Sequence, residues 1–224
     1  MPPNIKSYYD ELAENYDQDR FANSYGKFIH RQEEKTLARH VSKNEKSKIL
    51  DLACGTGRFL HHAAFGVDIS EEMLKVARVK FPNADLRVGD GTNLPFEDNF
   101  FTKVLSFHLM MHIDRNKFIC ILEEVGRVTQ KGGLFIFDVP SKKRRELTRY
   151  KAKSWHGGHE ISVSELKDLC GDRWELLVYH GIAFFPIHHI PKSLRSYILD
   201  LDTLLCNSFL GEFSSHIIYV LKKK

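Results

Sequence analysis

The stretch Ile49-Leu50-Asp51-Leu52-Ala53-Cys54-Gly55-Thr56-Gly57 constrains the fold more than any other in the chain. A short apolar run with no polar face is a strand covered on both sides, as in a parallel sheet. The two glycines that follow, at i and i+2, let the backbone turn sharply and come close to a ligand. Further short apolar segments follow at 65–69, 86–89, 101–107, 134–139, 174–181 and 216–221. Helical segments separate them. Ser70 is placed to cap a helix that opens with Glu71 and Glu72 and buries Met73, Leu74 and Ala77. Residues 115–129 form another, and 164–170 a third, capped by Ser162 or Ser164. Strands alternating with helices predict an α/β fold: a Rossmann-like, doubly wound sheet.

At 224 residues the chain fits one domain with a sizeable core. Residues 1–45 read as an N-terminal helical cover, helical over 6–41 with a break near 23–26. Tyr9, Leu12, Ala13 and Tyr16 fall at helical spacing within it. Residues 46–140 read as a ligand-binding half. Residues 141–224 read as a substrate-side half with an insertion at 182–212, either a lid or a packing and dimer face. Hydrophobic residues at 42% against 28% charged exclude wholesale disorder, and a net charge of +4 permits an acidic partner without demanding one. Cys54, Cys120, Cys170 and Cys206 show no C-x-x-C spacing, so free thiols are expected rather than a disulfide framework or zinc ribbon. The start, Met1-Pro2-Pro3, has no apolar leader, and no apolar run nears the ~20 residues of a membrane span. A soluble cytoplasmic monomer or homodimer is the expectation.

Ligands of doubly wound sheets bind beyond the carboxyl ends of the strands. Three such ends carry polar chemistry here. The glycine turn follows the first strand, Asp68 the second and Asp90 the third. An acid in the second position accepts from a ribose diol, and one in the third from an adenine amino group. Leu60 stands where a dinucleotide fingerprint needs its third glycine, and no Gly-Lys-Ser/Thr follows. The order therefore points to a nucleoside without phosphates.

At ILDLACGTGRF (49–59), GVDISEEML (66–74), GDGTNLPF (89–96), VLSFHLMMHI (104–113) and VGRVTQKGGLFIF (125–137) the sequence resembles the class I S-adenosylmethionine-dependent methyltransferases. The likeness is close over about residues 7–140, including the opening YYDELAENYD. It implies seven strands, mostly parallel with the last antiparallel, and S-adenosyl-L-methionine as cofactor. It further implies that Asp51, Ala53, Cys54, Gly55 and Gly57 form the turn that cradles the methionine part. Asp68 would meet the ribose, Ile69 and Met73 would flank the adenine, and Asp90 would meet its amino group beside Gly91 and Thr92. Phe107 would border the cofactor and Tyr16 would close over it. Two departures stand out. Ala53 replaces the first glycine of the turn, and only seven residues, 58–64, separate Gly57 from the second strand, room for about two helical turns.

Methyl transfer requires alignment and water exclusion, and a base only where the acceptor must lose a proton. His112, then His108, are the candidate bases, since both follow the fourth strand; both also read as structural residues at a helix entry. Of twelve histidines, the adjacent pairs His61-His62 and His188-His189 are poor chelates on a helix, so no metal ligands are expected. His156 and His159 flank a glycine pair in a loop. The basic run 142–145 reads as a solvated helix face. No Asn-Pro-Pro-Tyr or Asp-Pro-Pro-Tyr follows the fourth strand, which leans away from nucleic acid, though tRNA or protein stays open as acceptor. The preferred acceptor is a small, partly apolar molecule. The alternatives are a non-catalytic S-adenosylmethionine-binding protein and a nicotinamide-dependent reductase.

Overall fold

A computed structural model describes residues 5–42, 48–152 and 157–224. Three helices come first: α1 (Ile5–Leu12), α2 (Tyr16–Phe21) and α3 (Ser24–His40). The expected helical cover therefore breaks twice, at 13–15 as well as near Asn23. Asn23 explains its own break: its Oδ1 accepts from the N–H groups of Tyr25 and Gly26 at 3.0 and 2.9 Å and starts α3. Gly26 is required there, because a Cβ would come within 2.3 Å of the Arg20 carbonyl.

The strands are β1 (Ile49–Leu52), β2 (Phe65–Asp68), β3 (Asp85–Val88), β4 (Phe101–Ser106), β5 (Thr129–Pro140), β6 (Trp174–Ile182) and β7 (His216–Lys223). They form one sheet in the order β3-β2-β1-β4-β5-β7-β6. The first five pair in parallel, and β7 runs antiparallel to both β5 and β6. The expected topology is therefore present. β5 starts five residues earlier than expected, with Gly132-Gly133 inside it.

Between the strands lie α4 (Glu71–Lys80), α5 (Arg115–Val128), α6 (Lys142–Thr148), α7 (Val163–Cys170) and α8 (Arg195–Cys206). Ser70 caps α4 through Met73 N, with acids in its first turn and Arg78 and Lys80 in its last. Ser162, rather than Ser164, caps α7 in a reciprocal box with Glu165. Side chains alternate across the sheet. Phe135, Phe137, Ile217 and Tyr219 join the α5 and α7 core, while Ile136, Ile218 and Val220 join the core of α3, α4 and α8.

Residues 58–64 form turns, not the two-turn helix expected. The insertion at 182–212 is not a lid. Its α8 docks on α3, where Gln32 Nε2 donates to the buried Asp202 at 2.7 Å and Ala183 N donates to Gln32 Oε1 at 2.8 Å. The basic run is not a free patch either. Lys142 pairs with Glu165 and Lys143 with Glu212. Arg144 donates to the Phe184 and Phe213 carbonyls, and Arg145 to Gly157 O and Glu160. All four cysteines are free, and only Cys120 is exposed. No helix among the described residues is long and apolar enough to cross a membrane.

Candidate active site

The turn after β1 is built from left-handed residues. Ala53, Gly55 and Gly57 have φ of +59°, +53° and +91°. Where a Cβ on Gly55 would project there is no heavy atom within 4 Å, so the turn leaves open space above itself. The Asp68 carboxylate locks this turn to the next strand end, accepting from Gly55 N at 2.8 Å and from Ser70 N at 2.9 Å. Burial pushes its pKa up, and those backbone donors pull against the rise. Asp90, at the third strand end, accepts from Thr92 N at 3.0 Å and pairs with Lys117 at 2.9 Å. Burial opposes its ionisation, but the Lys117 ammonium and the Thr92 donors outweigh it and hold the pKa low.

These ends open on a cleft of about 870 Å³, counted to its open mouth. Of the expected residues, Tyr16, Ala53, Gly55, Asp68, Ile69, Met73, Asp90, Gly91 and Phe107 line it. Asp51 and Cys54 instead line a smaller recess of about 360 Å³ on the far side of the turn, which Tyr16, Ala53, Gly55 and Phe107 border as well. Gly57 and Thr92 line neither, and Thr92 acts only through its hydrogen bonds to Asp90. Ile5, Tyr9, Leu52, Val67, Gly89, Leu109, Ile113, Lys117 and Ile121 also line it, beyond the expected site residues. The apolar stripe of the first helix had signalled Tyr9. The others sit on surfaces that show their facing only once the chain is folded.

A second cavity, about 1280 Å³ to its mouth, adjoins the first. Tyr9, Tyr16, His108 and His112 are common to both. Phe21, Tyr25, Ile29 and Met111 give it apolar walls, with Arg20 and His216 at its edges. Among the described residues, His216 is the only member of the 141–224 half to line any of these cavities. The N-terminal cover supplies most of the second cavity instead.

The cover is latched over the cleft. Ser70 Oγ donates to Asp10 at 2.6 Å and Thr56 Oγ1 to Asp17 at 2.6 Å, and Lys80 pairs with Asp17. Burial beneath it raises the pKa of both Tyr9 and Tyr16.

The two candidate bases differ in surroundings. His112 stands between the cavities, its ring edge-on to Tyr9 at 6.2 Å. His108 has a left-handed backbone, φ +61°, fixed by its N–H donating to Asp138 Oδ1 at 2.6 Å. Its Nε2 lies 2.8 Å from Glu33 Oε1, and Glu33 also pairs with Arg58. Burial lowers the His108 pKa, but the Asp138 and Glu33 charges overcome this and raise it. Burial likewise opposes ionisation of Glu33, and the Arg58 and His108 charges hold its pKa low. Neither Glu33 nor Arg58 was legible at this site from sequence, since helix α3 brings Glu33 75 residues along the chain to His108. His159 is not an exposed loop residue: it is buried with Nδ1 3.0 Å from the Met110 carbonyl, while His156 lies outside the described residues.

A seven-stranded sheet of this order, with a left-handed turn and two carboxylates at adjacent strand ends, defines a nucleoside-binding α/β protein. Comparison with known proteins narrows it. Residues 50–137 match the methyltransferase-domain family. An uncharacterised protein of Methanocaldococcus jannaschii is 36% identical, over 98% of this chain and 90% of that one. The demethylmenaquinone methyltransferase of Paenarthrobacter aurescens is 34% identical over 60% of this chain, and the match spans only 54% of that relative's length. The crystal structure of a SAM-dependent methyltransferase from Thermotoga maritima superposes with a TM-score of 0.74 at 20% identity, over 99% of this chain and all of that one. The chain belongs to the class I S-adenosylmethionine-dependent methyltransferases, and S-adenosylmethionine is its cofactor.

Proposed function

We propose that this methyltransferase acts on a small, partly apolar acceptor seated in the second cavity. One observation carries the reading: two cavities meet at a wall formed by Tyr9, Tyr16, His108 and His112, one lined by strand-end carboxylates and the other by aromatic side chains. The small-molecule acceptor named for the demethylmenaquinone relative supports it.

When bound, S-adenosylmethionine supplies an electrophilic methyl carbon on a sulfonium sulfur. The chain's own residues hold and shield it. Open space above Gly55 admits the methionine part against the backbone of 53–57, with Asp51 and Cys54 in the recess behind. Asp68 keeps carboxylate lone pairs for ribose hydroxyls, since each of its oxygens accepts one backbone N–H. Ile69 and Met73 offer apolar faces to the adenine, with Asp90 and Gly91 at its edge, Thr92 holding Asp90 from behind, and Phe107 and Tyr16 closing the sides. The latched cover excludes water. His112 takes a proton from an acceptor that must lose one. His108, whose protonated form the Glu33 and Asp138 charges favour, forms part of the shared wall and is the second candidate base.

Calorimetry with S-adenosylhomocysteine tests the cofactor site, and a panel of phenols, quinols and amines tests the acceptor. His112→Ala should lower turnover on a proton-losing acceptor by about 10²- to 10⁴-fold with S-adenosylhomocysteine affinity nearly unchanged. An undiminished rate removes the base role. Failure of the folded protein to bind S-adenosylhomocysteine removes the site.

A further inference from the structure

We propose that Glu34, His61 and His62 form a binding site for a divalent transition-metal cation of the zinc type, separate from the cleft. Adjacent histidines on a helix point apart. Residues 58–64 are turns instead, and this lets both rings swing to the same side. His61 Nε2 lies 3.1 Å from Glu34 Oε1, and His62 Nε2 lies 3.0 Å from Glu34 Oε2. The three ligand atoms all fall within 4.8 Å of one another. A tetrahedral zinc ion with bonds of about 2.0–2.1 Å sets its ligands about 3.3 Å apart, close to these separations.

A second observation points the same way. Glu34 Oε1 is buried and has no well-formed hydrogen bond, its nearest recorded partner being His61 Nε2 at 3.1 Å. Each carboxylate oxygen thus faces one imidazole nitrogen, and a cation seated among the three would satisfy all of them at once. Two imidazoles and one carboxylate select zinc-like ions over magnesium or calcium, which prefer all-oxygen sets. The half-exposed side chain of His61 leaves a solvent-facing position for water. The guanidinium of Arg58 is already paired with Glu33 and lies 3.2 Å from His30 Nδ1. An ion here would pin the abbreviated 58–64 segment to α3, replacing the packing a full helix would supply.

The test uses tag-free full-length protein stripped with a chelator and titrated with zinc chloride by calorimetry. Cobalt(II) absorption serves as a second probe. The expected result is one ion per chain, a tetrahedral cobalt spectrum, and a rise of a few degrees in Tm at saturating zinc. His61→Ala/His62→Ala and Glu34→Gln should each abolish the binding, with folding checked by circular dichroism and S-adenosylhomocysteine affinity retained. His188→Ala/His189→Ala, which alters the other adjacent pair, should leave it intact. No zinc binding by the folded protein at micromolar concentrations would overturn the proposal. So would undiminished binding in the 61/62 variant, or its loss in the 188/189 variant.

Discussion

Ala53 holds a conformation its side chain resists. A left-handed backbone costs a residue with a Cβ roughly 1–2 kcal/mol, and Ala53 sits at φ +59° between β1 and the glycines. Ala53→Gly should therefore stabilise the protein by about 1 kcal/mol, part of the relief being lost to unfolded-chain entropy; a shift in the urea midpoint reads this directly. Asp51 carries a different strain. Burial, reinforced by the Asp68 charge and opposed by Arg58, pushes its pKa from 3.8 up to about 7. Between those values the folded state holds a proton that the unfolded state has lost. Its contribution to stability thus falls as pH rises through that window, then stays constant above it. Wild type should lose on the order of 2–4 kcal/mol more than Asp51→Asn between pH 4 and 8, at about 1.4 kcal/mol per unit. Parallel pH profiles for the two proteins would refute the assignment. Asp68 and Asp90 were legible in the sequence because each directly follows an apolar strand. Glu33, Glu34 and Arg58 were not, since only the docking of α3 against the turn after β1 gives them partners.

At the level of elements, the cover is the part whose behaviour follows most directly from named contacts. Two carboxylates, Asp10 and Asp17, latch it to hydroxyls on the cap of α4 and on the glycine turn. Both are partly exposed, so each latch is worth about 1 kcal/mol. Asp10→Ala and Asp17→Ala should each speed release of S-adenosylhomocysteine roughly fivefold, measurable by stopped-flow displacement. Unaltered release would mean that the cover does not gate the cleft. The central strands were readable because both faces of the sheet are buried there, as in β1, whose four residues are all buried, whereas β3 has no buried residue. Residues 58–64 have room by length for about two helical turns, but form turns because they must also join two fixed strand ends. The insertion stayed open between a lid and a packing or dimer face because these share the same amphipathic pattern. The buried Asp202, which accepts from Gln32 and from the backbone of 184 and 185, decides between them.

On the scale of the whole molecule, the N-terminal cover and the carboxyl ends of the strands together enclose the cleft and the adjoining cavity, while the α8 segment of the 182–212 insertion packs on α3. The cofactor half could be read from local motifs. The second cavity could not, because its walls come from residues 9–29, 108–112 and 216, which meet only in the folded chain. The sheet order carries one more consequence. β7 lies between β5 and β6, yet it is made after every strand it joins. During synthesis β5 and β6 must wait as open edges, their backbone donors and acceptors unpaired, until residues 216–223 arrive and zip the two together. The last strand thus sets when the nascent protein stops being sticky, and a ribosome stalled just before it would leave a chain with its first five strands assembled and its flank exposed to aggregation.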